Sequence, residues 1–262
     1  MTAWLVVVIL GVIEGITEFL PISSTGHMLI AEQWLPYRQS DTFLVVIQSG
    51  AVVAVLLVFK DRVLRLLKGW REAEPRAYLL KLAGAFTITA AGGLVLKKAG
   101  FALPETAAPV GAALLIGGVL FLVVERWLRG RTSSDEVTWS MAAAMGVAQL
   151  VAAVFPGTSR SGACILIALM MGLGRSGAIE FSFLLGVPTL LAAGAVKLLS
   201  WMRHPGSEAL VPGMLVLGIV VSLVTAFVAV RWLLGYMKSH TFVGFGWYRI
   251  VAGSAVLLMA LL

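Results

Sequence analysis

Residues 11–24, GVIEGITEFLPISS, and residues 146–159, GVAQLVAAVFPGTS, are the two segments that decide the fold of this 262-residue chain. In each segment an apolar stretch runs into proline and then into small and hydroxyl-bearing residues. The two align without a gap, with Gly, Val, Pro and Ser matched, and each precedes three long apolar runs. This pattern predicts a duplicated unit, and because three membrane crossings are an odd number, the second copy is expected to be inverted.

The composition indicates a membrane protein. Hydrophobic residues make up 60% of the chain and charged residues only 13%, whereas soluble domains average about 45–50% and about 25%. Because the apolar stretches recur along the whole length, we predict one all-α polytopic membrane domain over residues 1–262, with no separate soluble domain. The single cysteine, Cys164, excludes an intramolecular disulfide bond and a multi-cysteine metal site.

Six apolar runs are long enough to cross the hydrocarbon core of a bilayer at about 1.5 Å per residue. They cover residues 43–59, 79–96, 108–124, 179–201, 210–234 and 247–262. We therefore expect about six full crossings.

Basic residues concentrate after the first and third crossings, in residues 60–76 and 126–131, so we predict that these two loops are cytoplasmic. Both chain termini and the loop that carries Lys97 and Lys98 are then expected outside. This topology also accounts for the net charge of +7, so we expect no nucleic-acid partner.

Two shorter apolar stretches, residues 2–20 and 140–155, end at the proline-containing loops, and we predict a broken or re-entrant helical hairpin at each. Non-helical backbone at membrane depth is tolerated only where it is buried in protein or lines a wet cavity. The two loops should therefore meet at a polar cavity near the midplane. The expected architecture is an inverted repeat of this hairpin plus three transmembrane helices, with repeat 1 over about residues 1–124, a cytoplasmic linker over about 125–139 and repeat 2 over about 140–262.

Glu14 and Glu18 stand four residues apart, on one face of an otherwise apolar helix. An ionised acid at the bilayer centre costs about 2.5–3.5 kcal/mol, so the pair indicates a functional site. The alternative is a helix that lies shallowly at the interface with both acids in water. Adjacent carboxylates suit acid–base chemistry or a divalent cation, Mg²⁺ or Ca²⁺, and both roles stay open.

The first loop, residues 21–27 (PISSTGH), follows this helix directly. The N-terminus of the next helix would bind a phosphate, and a serine hydroxyl beside a histidine suits nucleophilic attack. The alternative is a helix-capping cluster with an interfacial histidine. The candidate catalytic residues here are Ser24 and His27, and the candidate phosphate-binding residues are Ser23, Thr25 and Gly26.

The second loop, residues 156–162 (PGTSRSG), places Arg160 between Ser159 and Ser161 in a predicted intramembrane turn. A permanently charged guanidinium there needs an anion, and its planar group can donate two parallel hydrogen bonds to phosphate oxygens. The alternative is a structural ion pair with Glu14 or Glu18, which can coexist with phosphate binding in an empty site. Together the two loops are typical of a phosphoryl-transfer site.

Other polar residues in the apolar spans carry less weight. Glu180 lies close to Arg175 at the start of a span, so we interpret the two as a helix-end ion pair. Gln48 either donates within the cavity or bonds a neighbouring helix.

The two motifs, residues 14–27 and 156–161, resemble the signatures of the undecaprenyl-diphosphate phosphatase family of bacterial membranes, also called the bacitracin-resistance BacA/UppP family. The resemblance covers essentially the whole chain, including residues 43–50 and 180–185. One departure is Cys164, because the second motif of the family usually ends in threonine there.

This resemblance implies hydrolysis of undecaprenyl diphosphate to undecaprenyl phosphate and inorganic phosphate, which recycles the lipid carrier of cell-wall synthesis. It implies a multi-pass protein of the cytoplasmic membrane, an active site reached from the outer face, and Mg²⁺ or Ca²⁺ as cofactor. It is also compatible with a homodimer. The residues that fall on the family's active-site positions are Glu14, Glu18, Ser23, Ser24, His27, Ser159 and Arg160.

Our hypothesis for the mechanism is attack by Ser24 on the terminal phosphorus while Arg160 holds the diphosphate. Glu18 or His27 takes the serine proton. Attack by Ser23 or directly by water remains an alternative. A transporter or flippase for a polyprenyl phosphate lipid is the rival function, because inverted repeats and broken helices are also typical of transporters, and a nonenzymatic lipid-binding scaffold is a third interpretation.

Overall fold

The computed structural model describes residues 2–100, 106–204 and 210–261. These ranges form eleven α-helices, joined by short loops, with a single isolated β-bridge between Ser134 and Leu173. In chain order the helices are α1 Ala3–Thr17, α2 Ser24–Trp34, α3 Asp41–Val58, α4 Lys60–Lys68, α5 Ala73–Lys98, α6 Ala107–Trp127, α7 Trp139–Val154, α8 Arg160–Met170, α9 Arg175–Arg203, α10 Pro212–Tyr236 and α11 Val243–Leu261.

Six of the described helices are long and apolar enough to cross a membrane: α3, α5, α6, α9, α10 and α11. They coincide with the six predicted spans, although the last residue of the sixth, Leu262, lies outside the described residues. The prediction of an all-α multi-pass membrane protein is therefore confirmed. The inversion of the second half and the sidedness of the loops stay predictions.

The two predicted hairpins consist of short helices. Helices α1 and α2 have 15 and 11 residues, and α7 and α8 have 16 and 11. At about 1.5 Å per residue, each is shorter than the hydrocarbon core of roughly 30 Å. The break predicted at each proline-containing loop is confirmed.

Both breaks contain the same unusual backbone conformation. Ser23 has φ 73° and Ser159 has φ 70°, and no other non-glycine residue in the described ranges has positive φ. Each caps the next helix, because Ser23 Oγ accepts from Gly26 N at 3.4 Å and Ser159 Oγ accepts from Gly162 N at 3.1 Å. Such strain is retained mainly at functional sites.

This geometry corrects the gap-free alignment of the two loops. The alignment pairs Ser23 with Thr158, whereas the shared conformation pairs Ser23 with Ser159. The second loop is one residue longer after its proline, so the alignment is wrong by one position there. As a result, Ser24 and Arg160 occupy the same structural position, the first residue of a helix that starts at the site.

The hairpins are held by close helix contacts. A Cβ on Gly15 of α1 would lie 2.5 Å from the carbonyl oxygen of Ser222 in α10, and a Cβ on Gly146 of α7 would lie 2.6 Å from that of Ala85 in α5. Both distances are too short for a side chain, so glycine is required. Small residues at such contacts are how membrane helices approach one another closely.

The expected ion pair between Arg175 and Glu180 is wrong. Glu180 instead accepts hydrogen bonds from Arg62 Nε at 2.9 Å and from the Tyr78 hydroxyl at 3.0 Å. Arg175 binds Glu125 of α6, with Nε 3.0 Å from Oε1. The physical reason is helix geometry, because residues five apart on α9 are not on one face and cannot meet.

Candidate active site

A polar cleft of about 190 Å³ opens where the two loops meet α3, α5, α7 and α9. It has room for a phosphate group and several water molecules. The lining residues are Glu18, Ser23, Ser24, Thr25, Gln48, Thr89, Gln149, Ala152, Ala153, Gly157, Ser159, Arg160, Thr189 and Leu190. The predicted meeting of the two loops at a polar cavity is confirmed.

Glu18 is the centre of the hydrogen-bond network in this cleft. It caps the C-terminus of α1 and is buried. Its Oε2 accepts a hydrogen bond from Ser24 Oγ at 2.5 Å, and its Oε1 accepts one from Arg160 Nη2 at 3.2 Å. One carboxylate therefore contacts both the candidate nucleophile and the candidate phosphate-binding cation. Of the two ion pairs considered as the alternative for Arg160, the structure shows the one with Glu18.

Arg160 keeps two donors for a ligand. Its Nε and Nη1 are buried and have no hydrogen-bond partner among the described residues. The guanidinium lies over the Phe19 ring, with Cζ 5.3 Å from the ring centroid. The guanidinium also lies against Gly186 of α9, where a Cβ would lie only 2.7 Å from Cζ. A buried guanidinium with unsatisfied N–H groups has the chemistry to bind an anion such as phosphate.

Glu14 lies one turn before Glu18 on α1 and outside the cleft lining. It is only 1% exposed, and its Oε1 has no hydrogen-bond partner among the described residues. The described ranges contain no group of three or more His, Cys, Asp or Glu side chains suited to a metal. Mg²⁺ is commonly held by one or two carboxylates together with water and substrate phosphates, and the pair fits that kind of site.

His27 also lies outside the lining, and both of its ring nitrogens are engaged. Nδ1 is 2.7 Å from the carbonyl oxygen of Ser23, and Nε2 is 2.6 Å from the hydroxyl of Tyr248 in α11. A carbonyl only accepts, so Nδ1 donates to it. This geometry favours Glu18 over His27 as the group that receives the proton of Ser24.

Ser161 and Gly26 support the loops rather than line the cleft. Ser161 Oγ donates to the carbonyl oxygen of Leu20 at 3.1 Å and lies 3.2 Å from Ser159 Oγ, which links the second loop to the first. The backbone N–H of Gly26 is bound by Ser23, as described above. Neither Ser161 nor Gly26 lines the cleft, so the structure does not support the expected role of these two residues in phosphate binding.

Arg249 is the main residue that sequence analysis missed. It is fully buried in α11, and within the described ranges its guanidinium donates to backbone carbonyls alone. The acceptors are those of Pro21 at 3.0 Å, Ala113 at 3.2 Å, Leu114 at 3.4 Å, Gly157 at 3.3 Å and Thr158 at 3.0 Å. One side chain therefore holds both loops. The available signal was an arginine inside a predicted span, where a charge is expected to be functional.

Comparison with known proteins shows the family of the chain. A sequence model of the family described as bacitracin resistance protein BacA matches residues 7–255. The chain belongs to the BacA family. The predicted resemblance is thereby confirmed over nearly the whole length of the chain.

Two relatives illustrate the similarity within the BacA family. A protein of Rhizobium etli (strain CIAT 652) is 51% identical over 253 residues, which is 96% of this chain and 95% of the relative. A protein of Xanthomonas axonopodis pv. citri (strain 306) is 49% identical over 251 residues, 95% of this chain and 94% of the relative. Both are named undecaprenyl-diphosphatase.

Cys164, the departure from the usual BacA-family motif, lies behind the second loop. It is fully buried in α8, and its Sγ donates a weak hydrogen bond to the carbonyl oxygen of Met145 at 3.5 Å. It is not part of the cleft lining. A thiol at this position therefore leaves the cleft itself unchanged.

Proposed function

We propose that the chain is an undecaprenyl-diphosphatase, which hydrolyses undecaprenyl diphosphate to undecaprenyl phosphate and inorganic phosphate. The observation that carries this proposal is the Ser24 hydroxyl, hydrogen-bonded to Glu18 at 2.5 Å in a cleft that also holds the free donors of Arg160. The names of the two relatives support the same activity and substrate.

Substrate binding is assigned to Arg160 and to the helix N-termini at the loops. Helices α2 and α8 begin at Ser24 and Arg160, so their first N–H groups and the positive ends of their dipoles lie at the loops. Arg160 Nε and Nη1 donate to oxygens of the terminal phosphate. Ser159, Ser23 and Thr25 add hydroxyl groups to the same cleft.

The chemical step begins with attack by Ser24 Oγ on the terminal phosphorus. Glu18 takes the hydroxyl proton across the 2.5 Å hydrogen bond, and the bond from phosphorus to the bridging oxygen breaks, which releases undecaprenyl phosphate. Water then attacks the phosphoserine, the bond from phosphorus to Oγ breaks, and Glu18 returns its proton to Oγ. Inorganic phosphate is the second product.

A divalent cation, Mg²⁺ or Ca²⁺, is proposed at Glu14 and Glu18. These carboxylates would hold the cation, and the unpartnered Oε1 of Glu14 supports this assignment. When bound, the cation supplies positive charge that neutralises the phosphate oxygens. Removal of the cation by a chelator should therefore slow phosphate release without unfolding the protein.

The cleft is proposed to open to the outer face of the bacterial cytoplasmic membrane. The support is the charge distribution, since the basic loops at residues 60–76 and 126–131 favour the cytoplasmic side. The inorganic phosphate is then released outside the cell.

The test is release of inorganic phosphate from undecaprenyl diphosphate by the purified protein in detergent. We expect turnover by wild type and a loss of about 10³-fold or more in Ser24→Ala and Arg160→Ala, because each removes a group that acts on the phosphorus or its charge. Ser49→Ala is the matched control, since that hydroxyl donates to the Val46 carbonyl within α3 at 2.7 Å and has no other hydrogen-bond partner in the part of the chain that the structure describes. It should keep wild-type turnover.

Two results would contradict the proposal. A folded wild-type protein that binds the lipid but releases no phosphate would support the transporter function instead. Turnover without any labelled phosphate trapped on Ser24 after an acid quench would refute the covalent step, and would leave direct attack by water.

A further inference from the structure

Gln149 of α7 is a buried polar side chain in the cleft to which the mechanism above assigns no role. It is only 2% exposed and lines the cleft together with Ser24 and Arg160. Its Nε2 donates to the Thr89 hydroxyl of α5 at 3.1 Å, while its Oε1 has no hydrogen-bond partner among the described residues. A buried acceptor without a partner calls for an explanation, and a ligand in the cleft is one.

The orientation of this amide is determined by Thr89. The Thr89 hydroxyl lies 3.1 Å from the carbonyl oxygen of Ala85 and 3.0 Å from that of Gly146. A carbonyl only accepts, so the single hydroxyl hydrogen is used there, and Thr89 accepts from Gln149. The amide must therefore present its NH₂ group to Thr89, which leaves Oε1 as a fixed acceptor for a ligand.

The chemistry of Oε1 limits what that ligand is. An amide oxygen only accepts, so its partner must carry O–H or N–H groups. The phosphate oxygens of the substrate are acceptors themselves, and Arg160 supplies the N–H donors for them. The reactant that brings hydrogens to donate is the water that attacks phosphorus, and glutamine side chains orient attacking water in other phosphoryl-transfer enzymes.

The positions of the groups in the fold agree with this role. Ser24 and Glu18 belong to the first hairpin, whereas Gln149 and Thr89 line the same cleft from two other helices, α7 and α5. In an in-line displacement, water must approach phosphorus from the side opposite to the departing serine oxygen. Because Glu18 is hydrogen-bonded to that serine, it lies on the same side of phosphorus as the departing serine oxygen. A separate group therefore has to hold the water.

We propose that Gln149 orients the water that hydrolyses the phosphoserine at Ser24, and that Thr89 is the positioning residue that holds the amide. This inference rests on the proposed function. In the step, the water oxygen bonds to phosphorus as the bond from phosphorus to Ser24 Oγ breaks. Glu18 gives its proton to Oγ, and both water protons leave with the phosphate.

The experiment uses the full-length protein in detergent and undecaprenyl diphosphate that carries ³²P in its terminal phosphate. Released phosphate and acid-stable label on the protein are measured after an acid quench. In Gln149→Leu, release should fall at least tenfold while labelled protein rises above its wild-type level toward one phosphate per chain. Thr89→Val should show the same pattern with a loss of about threefold to tenfold, and Thr89→Ser, which keeps the hydroxyl, should restore wild-type rates.

The matched control is Thr87→Val on the same helix, because the exposed Thr87 hydroxyl donates to the carbonyl of Ala83 at 2.8 Å and bonds no other described residue. It should behave as wild type. Release by Gln149→Leu at the wild-type rate would overturn the inference, and so would slower release with no gain of labelled protein. If Gln149→Leu does not fold, the rate of phosphate release and the amount of labelled protein in Thr89→Val test the inference in its place. Absence of release by wild type would instead refute the proposed function.

Discussion

Gly186→Ala is the substitution that tests most directly whether the position of Arg160 controls activity. Gly186 lies on α9 against the guanidinium, and a Cβ there would be 2.7 Å from both Cζ and Nη2 of Arg160, where ordinary contacts begin at 3.4 Å. The α9 backbone is a continuous helix and cannot retreat easily, so the guanidinium has to move. A displacement of the order of 1 Å at a positioning group costs about 10²-fold in rate.

The same substitution should not destabilise the fold. Alanine is favoured over glycine in the interior of a helix by about 0.5–1 kcal/mol, and the new methyl group meets the end of a flexible side chain. We therefore expect kcat/KM for phosphate release to fall about 10²-fold, which corresponds to about 2.7 kcal/mol, while the thermal unfolding temperature stays close to that of wild type.

The assay is initial-rate release of phosphate from undecaprenyl diphosphate in detergent, with thermal unfolding measured on the same preparations. Gly194→Ala on the same helix is the matched control, since the nearest atom to its Cβ would be the carbonyl oxygen of Val45 at 4.0 Å. The kcat/KM of Gly194→Ala should stay within about twofold of the wild-type value, because the new methyl group meets no atom closely enough to displace it. Wild-type kcat/KM in Gly186→Ala would refute the argument that glycine is required for the position of Arg160.

Two further substitutions test the groups that hold the helices together. Arg249→Met should lower both the unfolding temperature and turnover, because it leaves buried loop carbonyls unpaired at a cost of about 1–3 kcal/mol each. A variant with wild-type activity and stability would contradict the conclusion that Arg249 holds both loops. Glu125→Gln should lower stability by about 1–3 kcal/mol but leave kcat unchanged, because Glu125 binds Arg175 and the N–H of Phe242 away from the cleft. A fall in kcat at unchanged stability would show that this contact acts on the site.

The membrane spans were accessible from sequence because they depend on local composition. A long apolar run must cross the membrane or be buried in protein whatever its neighbours are, and all six predicted runs coincide with described helices that are long and apolar enough to cross a membrane. The breaks after α1 and after α7 were equally local, since proline ends a helix and hydroxyl-bearing residues cap the next one. The cost of an unpaired charge in the membrane indicated that Arg160 needs an anion, and left Glu14 and Glu18 both open as its structural partner.

Other parts of the site depended on residues far apart in the chain. The partner of Glu180 is Arg62, and that of His27 is Tyr248, 221 positions away. Polar groups such as Thr89 looked like ordinary transmembrane residues, because a threonine hydroxyl in a helix usually bonds the carbonyl four residues earlier, as Thr89 also does with Ala85. No local pattern distinguishes such a residue from one that lines a cleft.

What the sequence by itself determined is the set of spans, the two broken hairpins and the acids, serines and arginine of the loops, because each follows from the cost of polar groups in hydrocarbon. Only the tertiary structure decided how those groups are paired. In the folded chain Glu18 is hydrogen-bonded to Ser24, and His27 to Tyr248. Arg249 donates to backbone carbonyls of both loops. The reason is that hydrogen bonds between helices depend on the packing and rotation of each helix, which no single stretch of sequence contains.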